Sequence, residues 1–321
     1  MKNTDSLQSN NAQKLLTIAI PTYKRKPLLA ETLSSLEKCN LNNNVEVIIV
    51  DNDHEGNNDI VEMIKENFST LNPAYYRNSH NIGMVGNWNQ CMKLAEGKFI
   101  TILHDDDLVK ENFIDEVMLQ IEMNRSKEYL FAFRTSVLDQ RIEQSNIKQT
   151  PDNSEFISKI SVLDLFFTNF FHGTLGIIFD REKALAIGGF EENWYPISDY
   201  EFWCRWACKI GTLTLINKDI ALYRIAENES MKEVTRQLFT SQSLELRRKL
   251  VLEKNVPAAF AKLVNLTTCV QKIQVENYWS DKSYIKKIPG KILVKTYLIL
   301  FQIIIKMTKA ILHKDLNHER K

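Results

Sequence analysis

Three apolar runs constrain the fold of this chain more than any other feature: LLTIAIPTY (Leu15 to Tyr23), VEVIIVDND (Val45 to Asp53) and KFITILHDDD (Lys98 to Asp107). Each is rich in β-formers, and each stops on polar or acidic residues. Between them lie segments with helical spacing. Leu28 to Lys38 carries Leu28, Leu29, Leu33 and Leu36 on one face, and Asp59 to Phe68 and Trp88 to Ala95 follow, the last closed by Gly97. AYYRN adds a short strand and Phe113 to Met123 a further helix. Buried strands alternating with helices predict an α/β fold: a doubly wound, mostly parallel sheet with helices on both faces. Ligands of such sheets bind beyond the carboxyl ends of the strands. Tyr23, Asp51, Asp53 and Asp105 to Asp107 are therefore expected on one rim.

The rhythm loosens after Met123. Tyr129 to Val137 reads as a strand, Ile142 to Glu155 as a polar loop, and TLTLINKDIALYRI as two short strands. Tyr200, Trp203 and Ala207 share a helical face, and from Met231 onward the chain reads as helices. With 321 residues the chain can hold one large domain with an appendage, or two domains. Apolar content of 44% and charged content of 25% are those of a globular protein, and a net charge of +1 offers nothing to attract nucleic acid. The five cysteines (Cys39, Cys91, Cys204, Cys208, Cys269) form no CxxC pair, which argues against structural zinc and for reduced thiols in a cytosolic protein. MKNTDSLQSNNAQK lacks the apolar centre of a signal peptide, so residues 1–14 are expected to be a disordered leader.

Two readings compete for the acids. DNDHEGNNDIVE (Asp51 to Glu62) has the acid and glycine spacing of a calcium-binding loop, but a β-run precedes it and Asn58 stands where that loop needs an apolar residue. A polar turn explains Asn57 to Asp59 but not two acids directly after a strand. For Asp105 to Asp107, capping a helix would need only one aspartate. Three at a ligand rim favour a hard divalent cation, whose remaining positions suit nucleotide phosphate oxygens. The chain has neither a GxxxxGK[ST] loop nor a GxGxxG after its first strand, which disfavours P-loop and dinucleotide chemistry. Of the aromatics Phe166, Phe167, Phe170, Phe171, Trp194, Tyr195, Trp203 and Trp206, most are expected in the core. Trp194 and Tyr195, beside Pro196 in a loop, are the expected exceptions.

IAIPTYKR, VIIVDND, NIGMVGNWN, GKFITILHDDD, GGFEE and SDYEFW, in that order between Leu15 and Arg224, resemble the family 2 glycosyltransferases of the GT-A fold. The resemblance implies inverting transfer from a nucleotide-activated sugar with the help of Mn²⁺ or Mg²⁺. It implies that Pro21, Thr22, Tyr23 and Arg25 surround the nucleotide, that Asp51 holds the base with Asp53 nearby, and that Asn81 and Gly83 belong to the loop under the donor. Asp105 and Asp107 would bracket the ribose and metal, Asp107 as the direct ligand, with Asp106 alongside the donor. Asp199 falls at the place of the catalytic base, and Glu201 is second choice. There are two departures. Ser198 stands where the family often has Glu, and Ala226 where many members have a His that supports the metal or diphosphate. His104 occupies an acid's usual place in the longer motif, and with Glu201, Trp194 and Tyr195 is a candidate donor or acceptor contact. The implied organisation is a catalytic domain over 15–228 (nucleotide-sugar-binding 15–128, acceptor-binding 129–228) and a helical C-terminal region over 229–321.

Such a transfer needs a carboxylate to take the acceptor's proton and positive charge to meet the leaving diphosphate, for which Arg25, Arg77 and Lys24 are further candidates. A glycosidase also pairs carboxylates but needs no metal. A nucleotidyltransferase needs a glycine-rich phosphate loop that KRKPLL lacks. An inactive sugar-binding protein would have no use for intact acids. These stand as alternatives. The tail SYIKKIPGKILVKTYLILFQIIIKMTKAILHK (Ser283 to Lys314) combines an interrupted apolar stretch, too short to span a bilayer, with seven lysines and no acid. It reads as a basic amphipathic helix on an anionic membrane, or as one packed on the catalytic domain or on a second subunit in a homodimer. The expectation is a cytoplasmic enzyme, peripheral on the inner face of the cell membrane. Its donor would be a UDP-hexose or UDP-N-acetylhexosamine, and its acceptor a lipid-linked surface glycan of the O-antigen or capsule kind.

Overall fold

The computed structural model describes residues 14–56, 59–123, 128–141, 147–148, 157–226, 232–279, 295–297 and 299–308. Along the chain come β1 (Leu16–Thr22), α1 (Lys26–Leu36), β2 (Val45–Asp51), α2 (Asp59–Asn67), β3 (Ala74–Arg77), α3 (Gly83–Leu94), β4 (Phe99–Ile102), β5 (Leu108–Val109) and α4 (Phe113–Met123). After them come β6 (Leu130–Asp139), β7 (Ile147–Lys148), β8 (Ile157–Ile160), α5 (Val162–Phe167), β9 (Ile177–Asp180), α6 (Arg181–Ala186), α7 (Ser198–Lys209), β10 (Leu213–Ile225), α8 (Glu233–Leu252) and α9 (Val264–Trp279). Two compact units share the chain: residues 1–136, 174–186 and 218–223 form the first, and 137–173, 187–217 and 224–321 the second. They interleave along the sequence rather than following one another.

The strand order is β3-β2-β1-β4-β9-β6-β10-β5, with β6 and β10 giving residues to both units. β3, β2, β1 and β4 pair in parallel, whereas β9 is antiparallel to β4 and β6, and β5 to β10. β1 is buried throughout, which is why it tolerates no polar alternation. Pro21 near its end has a positional reason. The Thr22 carbonyl bonds toward β2 (Asn52 N–H, 2.9 Å) and the Ala19 carbonyl toward β4 (Leu103 N–H, 3.0 Å), so the donor that proline lacks would face β4. β4 pairs only as far as Ala19↔Ile102. No ladder bond is lost, and the chain after β4 turns away to carry the aspartates. Gly97, expected to close α3, has a different job: a Cβ there would lie 2.6 Å from the Thr17 nitrogen, so only glycine lets this loop reach β1. α3 itself starts at Gly83 rather than Trp88, because Gly83 supplies the positive φ (75°) that turns the chain into the helix.

TLTLINKDIALYRI forms one strand, β10, not two. The turn-like Asn217-Lys218-Asp219 stays extended because the Asp219 carboxylate accepts the Ser136 N–H (3.1 Å) and hydroxyl and pairs with Lys110 Nζ at 2.7 Å. In the second unit, Ser161 and Asp164 form a capping box at the start of α5. Phe166, Phe167 and Phe260 pack with centroids 5.2–5.3 Å apart. Phe166, Phe167, Trp203 and Trp206 are core residues, as expected. Residues 295–297 and 299–308 are helical: Tyr297 and Phe301 pack on Phe167, while Ile299, Leu300, Ile303 and Met307 are exposed. Among the described residues no helix is long and apolar enough to cross a membrane. The expected leader, apart from Lys14, and the tail outside these helical residues lie beyond the described residues, as does most of the expected loop over Ile142 to Glu155.

Candidate active site

The carboxyl ends of β1, β2 and β4 place the expected acids of the first unit on one rim. Thr22, the last residue of β1, donates its hydroxyl to Asp105 Oδ2 at 2.7 Å. Arg25 reaches Asp106 Oδ2 at 2.9 Å and Asp105 Oδ1 at 3.5 Å. Burial, with Asp106 next to it, raises the Asp105 pKa to about 6 against the opposing pull of Thr22 and Arg25. Asp107 is buried, and its backbone carbonyl accepts the Thr32 hydroxyl of α1 at 2.8 Å, which fixes the turn after β4. One donor atom each from His104, Asp106 and Asp107 lie within 4.8 Å of one another. Two carboxylates and an imidazole in that space are a fitting donor set for a divalent cation. Asp105, expected as a second metal ligand, is outside this group and is instead engaged with Thr22 and Arg25.

At the end of β2, Asp51 is held from two sides. Its Oδ2 accepts the Tyr75 hydroxyl at 2.6 Å, and its Oδ1 accepts the Asp53 N–H at 2.9 Å. Arg77 on β3 donates to the Tyr75 oxygen at 3.0 Å and stands 3.8 Å from Asp51. Burial, then the bond to Asp51, pushes the Tyr75 phenol up to about 12, which keeps it a donor. Asp53 itself faces the exposed Lys24 at 3.8 Å. Asp51 follows a strand and takes part in these β-rim contacts, so the calcium-loop spacing has no helix in front of it. Tyr23 is exposed and Pro21 is buried within β1.

The loop before α3 is held by an asparagine network that the sequence reading missed. Asn52 Nδ2 donates to Asn81 Oδ1 at 2.7 Å and to the Gly83 carbonyl at 3.2 Å. Asn52 Oδ1 accepts from Asn78 Nδ2 (3.0 Å) and from the Ile82 N–H (3.0 Å). Asn78 also reaches Asn87 Oδ1 at 2.8 Å, and Asn87 ties back to the Val50 carbonyl of β2 at 3.0 Å. Asn81 and Gly83, expected under the donor, are thus positioned by Asn52, Asn78 and Asn87. The available signal was that Asn52 and Asn78 each directly follow a strand.

In the second unit, Asp199 lies in the first turn of α7 and is nine-tenths buried. Burial raises its pKa to about 6, while backbone N–H groups of the helix start pull the other way. Glu201, expected as second base or acceptor contact, is committed elsewhere. Both its oxygens pair with Arg205 (2.9 and 2.8 Å), whose other donors hold the Ile187 and Gly189 carbonyls at 2.6 and 2.7 Å. GGFEE therefore marks a turn clamped by an ion pair, with both glycines at positive φ. Trp194 is buried with Lys249 over its ring at 5.3 Å, and Tyr195 is half-buried.

The family model for glycosyl transferase family 2 matches residues 17–172, the stretch that carries the rim. The chain carries a glycosyl transferase family 2 domain. It is similar to the abequosyltransferase RfbV of Salmonella typhimurium, 33% identical over 102 residues, which is 30% of each chain. It is also similar to the GalNAc(5)-diNAcBac-PP-undecaprenol beta-1,3-glucosyltransferase of Campylobacter jejuni, 24% identical over 194 residues, covering 54% of this chain and 62% of that one. Among solved structures, residues 1–349 of Staphylococcus aureus TarS in complex with UDP-GlcNAc superpose with a TM-score of 0.61 at 17% identity, covering 89% of this chain and 80% of that one. The mannosyltransferase PcManGT of Pyrobaculum calidifontis, in complex with GDP-Man and Mn²⁺, gives 0.56 at 15% identity, covering 93% and 84%. These likenesses give this glycosyltransferase the GT-A fold.

Proposed function

We propose that this glycosyltransferase moves a hexose or N-acetylhexosamine from a UDP-sugar, with inversion and with Mn²⁺ or Mg²⁺, to a hydroxyl of a lipid-linked surface glycan. The observation that carries the reading is the shared rim: the Asp51 carboxylate held by Tyr75, and a metal-fitting group at His104, Asp106 and Asp107, both at strand ends of one unit. Asp51, fixed by Tyr75 and by the Asp53 N–H, presents acceptor oxygens for a base N–H, which uracil (N3–H) and guanine (N1–H) both offer. The neighbours' donors differ in base, UDP-GlcNAc and GDP-Man, and the choice of UDP follows the TarS neighbour. A bound cation would be held by Asp107 and its neighbours, where it neutralises charge on the leaving diphosphate. Arg25, now on Asp106 and Asp105, is the cation that can turn to the phosphates once the acids are neutralised. Asp199 takes the acceptor's proton as the new bond forms. A pKa of about 6 suits a base that must be ionised near neutrality and still hold a proton well.

The lipid-linked acceptor is supported by the undecaprenol diphosphate substrate in the name of the Campylobacter relative and by the apolar face of the C-terminal helix. Location on the inner face of the membrane follows from that reading. The test is a screen of UDP- and GDP-sugars that counts released nucleoside diphosphate, with and without EDTA. Release from a UDP-sugar, lost in EDTA and restored by Mn²⁺, is the expected result. Turnover of GDP-sugars alone, or turnover indifferent to EDTA, overturns it.

A further inference from the structure

We propose that His104 is itself a ligand of the cation, through Nδ1, making this a His/Asp/Asp site. The proposal rests on the donor-site reading above and adds to it the ligand that Ala226 does not supply.

Three observations in the first unit carry it. First, the His104 donor atom lies in the same 4.8 Å group as oxygens of Asp106 and Asp107. Ligand atoms about 2.1 Å from a shared octahedral ion lie roughly 3 to 4.2 Å apart, so small side-chain rotations close the set. Second, the tautomer is decided by Thr174. Its hydroxyl stands 2.9 Å from the Ile102 carbonyl, which can only accept, and 3.1 Å from His104 Nε2. With the hydroxyl proton on Ile102, Thr174 Oγ1 accepts from Nε2–H, and the lone pair that the imidazole offers is on Nδ1. A metal-ligating histidine is ordinarily held this way, its other nitrogen donating to a fixed oxygen. Third, the ring plane is set by Trp88, which stacks on it at 5.2 Å and 18°.

A nitrogen donor changes which ions the site prefers. Imidazole suits first-row transition ions, and Mg²⁺ and Ca²⁺ prefer an all-oxygen set. A site with His104 favours Mn²⁺ over Mg²⁺, and His104→Asp, which restores oxygen, narrows that preference.

The test is pulsed EPR (electron spin echo envelope modulation) of Mn²⁺ bound to the full chain with UDP, alongside titration of Mn²⁺ and of UDP. The expected result is ¹⁴N modulation in the wild type that vanishes in His104→Gln, with Mn²⁺ affinity down 10-fold or more. Thr174→Val should weaken Mn²⁺ about 10-fold, the ring being left without its anchor. Bound Mn²⁺ without ¹⁴N modulation, or modulation that persists in His104→Gln, overturns the His104 ligand and leaves the donor site standing. UDP binding without any Mn²⁺ binding overturns the ligand and the metal together. Binding of neither overturns the donor-site reading itself.

Discussion

As the proposed base, Asp199 is a buried carboxylate that must ionise to work, and its burial is a cost to the fold. The unfolded aspartate titrates near 3.9, the native one at about 6. Between those values the native state binds more protons, so stability falls as pH rises through that window, and the loss is complete above about 6. Asp199→Asn removes the ionisation. It is expected to raise the free energy of unfolding at pH 7.5 by on the order of 2 kcal/mol, seen as a higher midpoint, and to leave it unchanged near pH 3.5. Turnover should drop by roughly 10²- to 10⁴-fold, the range of a lost general base, and wild-type kcat/KM should fall below an inflection near pH 6. A lower midpoint at pH 7.5 would mean that the ionised carboxylate has a stabilising partner. At this scale the sequence was legible where chemistry is rare and opaque where it is common. Three aspartates after an apolar run need a reason. A single Asn after a strand does not, since asparagine suits most turns, and so Asn52, Asn78 and Asn87 stayed invisible until the fold brought their amides together. Likewise nothing in LHDDDL tells which aspartate meets Thr22 and which meets His104.

Elements were legible through periodicity, and misread where a local signal was overruled by a distant partner. Asn217-Lys218-Asp219 looks like a turn, yet β10 runs straight through it because Ser136 and Lys110 satisfy Asp219. β9 and α6 were not anticipated, being too short to show a period. In α7 the sequence offered Asp199 and Glu201 as rivals for one role, and the helix separates them by partner. Arg205 brings a buried guanidinium to Glu201, and its other donors brace the Gly188–Gly189 turn. Glu201→Gln leaves that buried charge to the exposed Glu191 carboxylate 3.7 Å away, a change expected to destabilise the protein by about 3 kcal/mol. A urea melt at pH 7.5 should then show Glu201→Gln and Asp199→Asn moving in opposite directions. The folded fraction of Glu201→Gln should retain its kcat. A kcat loss as deep as that of Asp199→Asn, in protein shown to be folded, would return Glu201 to the chemistry.

For the whole molecule, the compact units cross the linear boundaries read from the sequence, because β6 and β10 serve both. The rim residues belong to one unit and Asp199, the proposed base, to the other, a division with a measurable consequence. Asp199→Asn should bind UDP and Mn²⁺ within about twofold of wild type, and Asp107→Ala should lose the metal while Asp199 stays intact. The C-terminal helix belongs to the second unit and has two apolar faces. Tyr297 and Phe301 are buried against Phe167, so packing on the protein accounts for one. It leaves Ile299, Leu300, Ile303 and Met307 exposed, with Lys295 and Lys306 exposed as well. Exposed aliphatic residues beside lysines fit an interfacial helix, whose binding combines apolar burial with attraction to anionic headgroups. Burying one such side chain is worth about 1.5–3 kcal/mol, so Leu300→Glu or Ile303→Glu should each weaken vesicle binding at least 10-fold. The measurement is co-sedimentation of the full chain with vesicles of neutral lipid alone and of neutral plus anionic lipid. Binding is expected only with the anionic lipid and should fall as salt rises. If the glutamate variants sediment like the wild type, this face does not meet the bilayer. If they instead turn a dimer into a monomer on size-exclusion chromatography, the face is an interface between two copies of the chain.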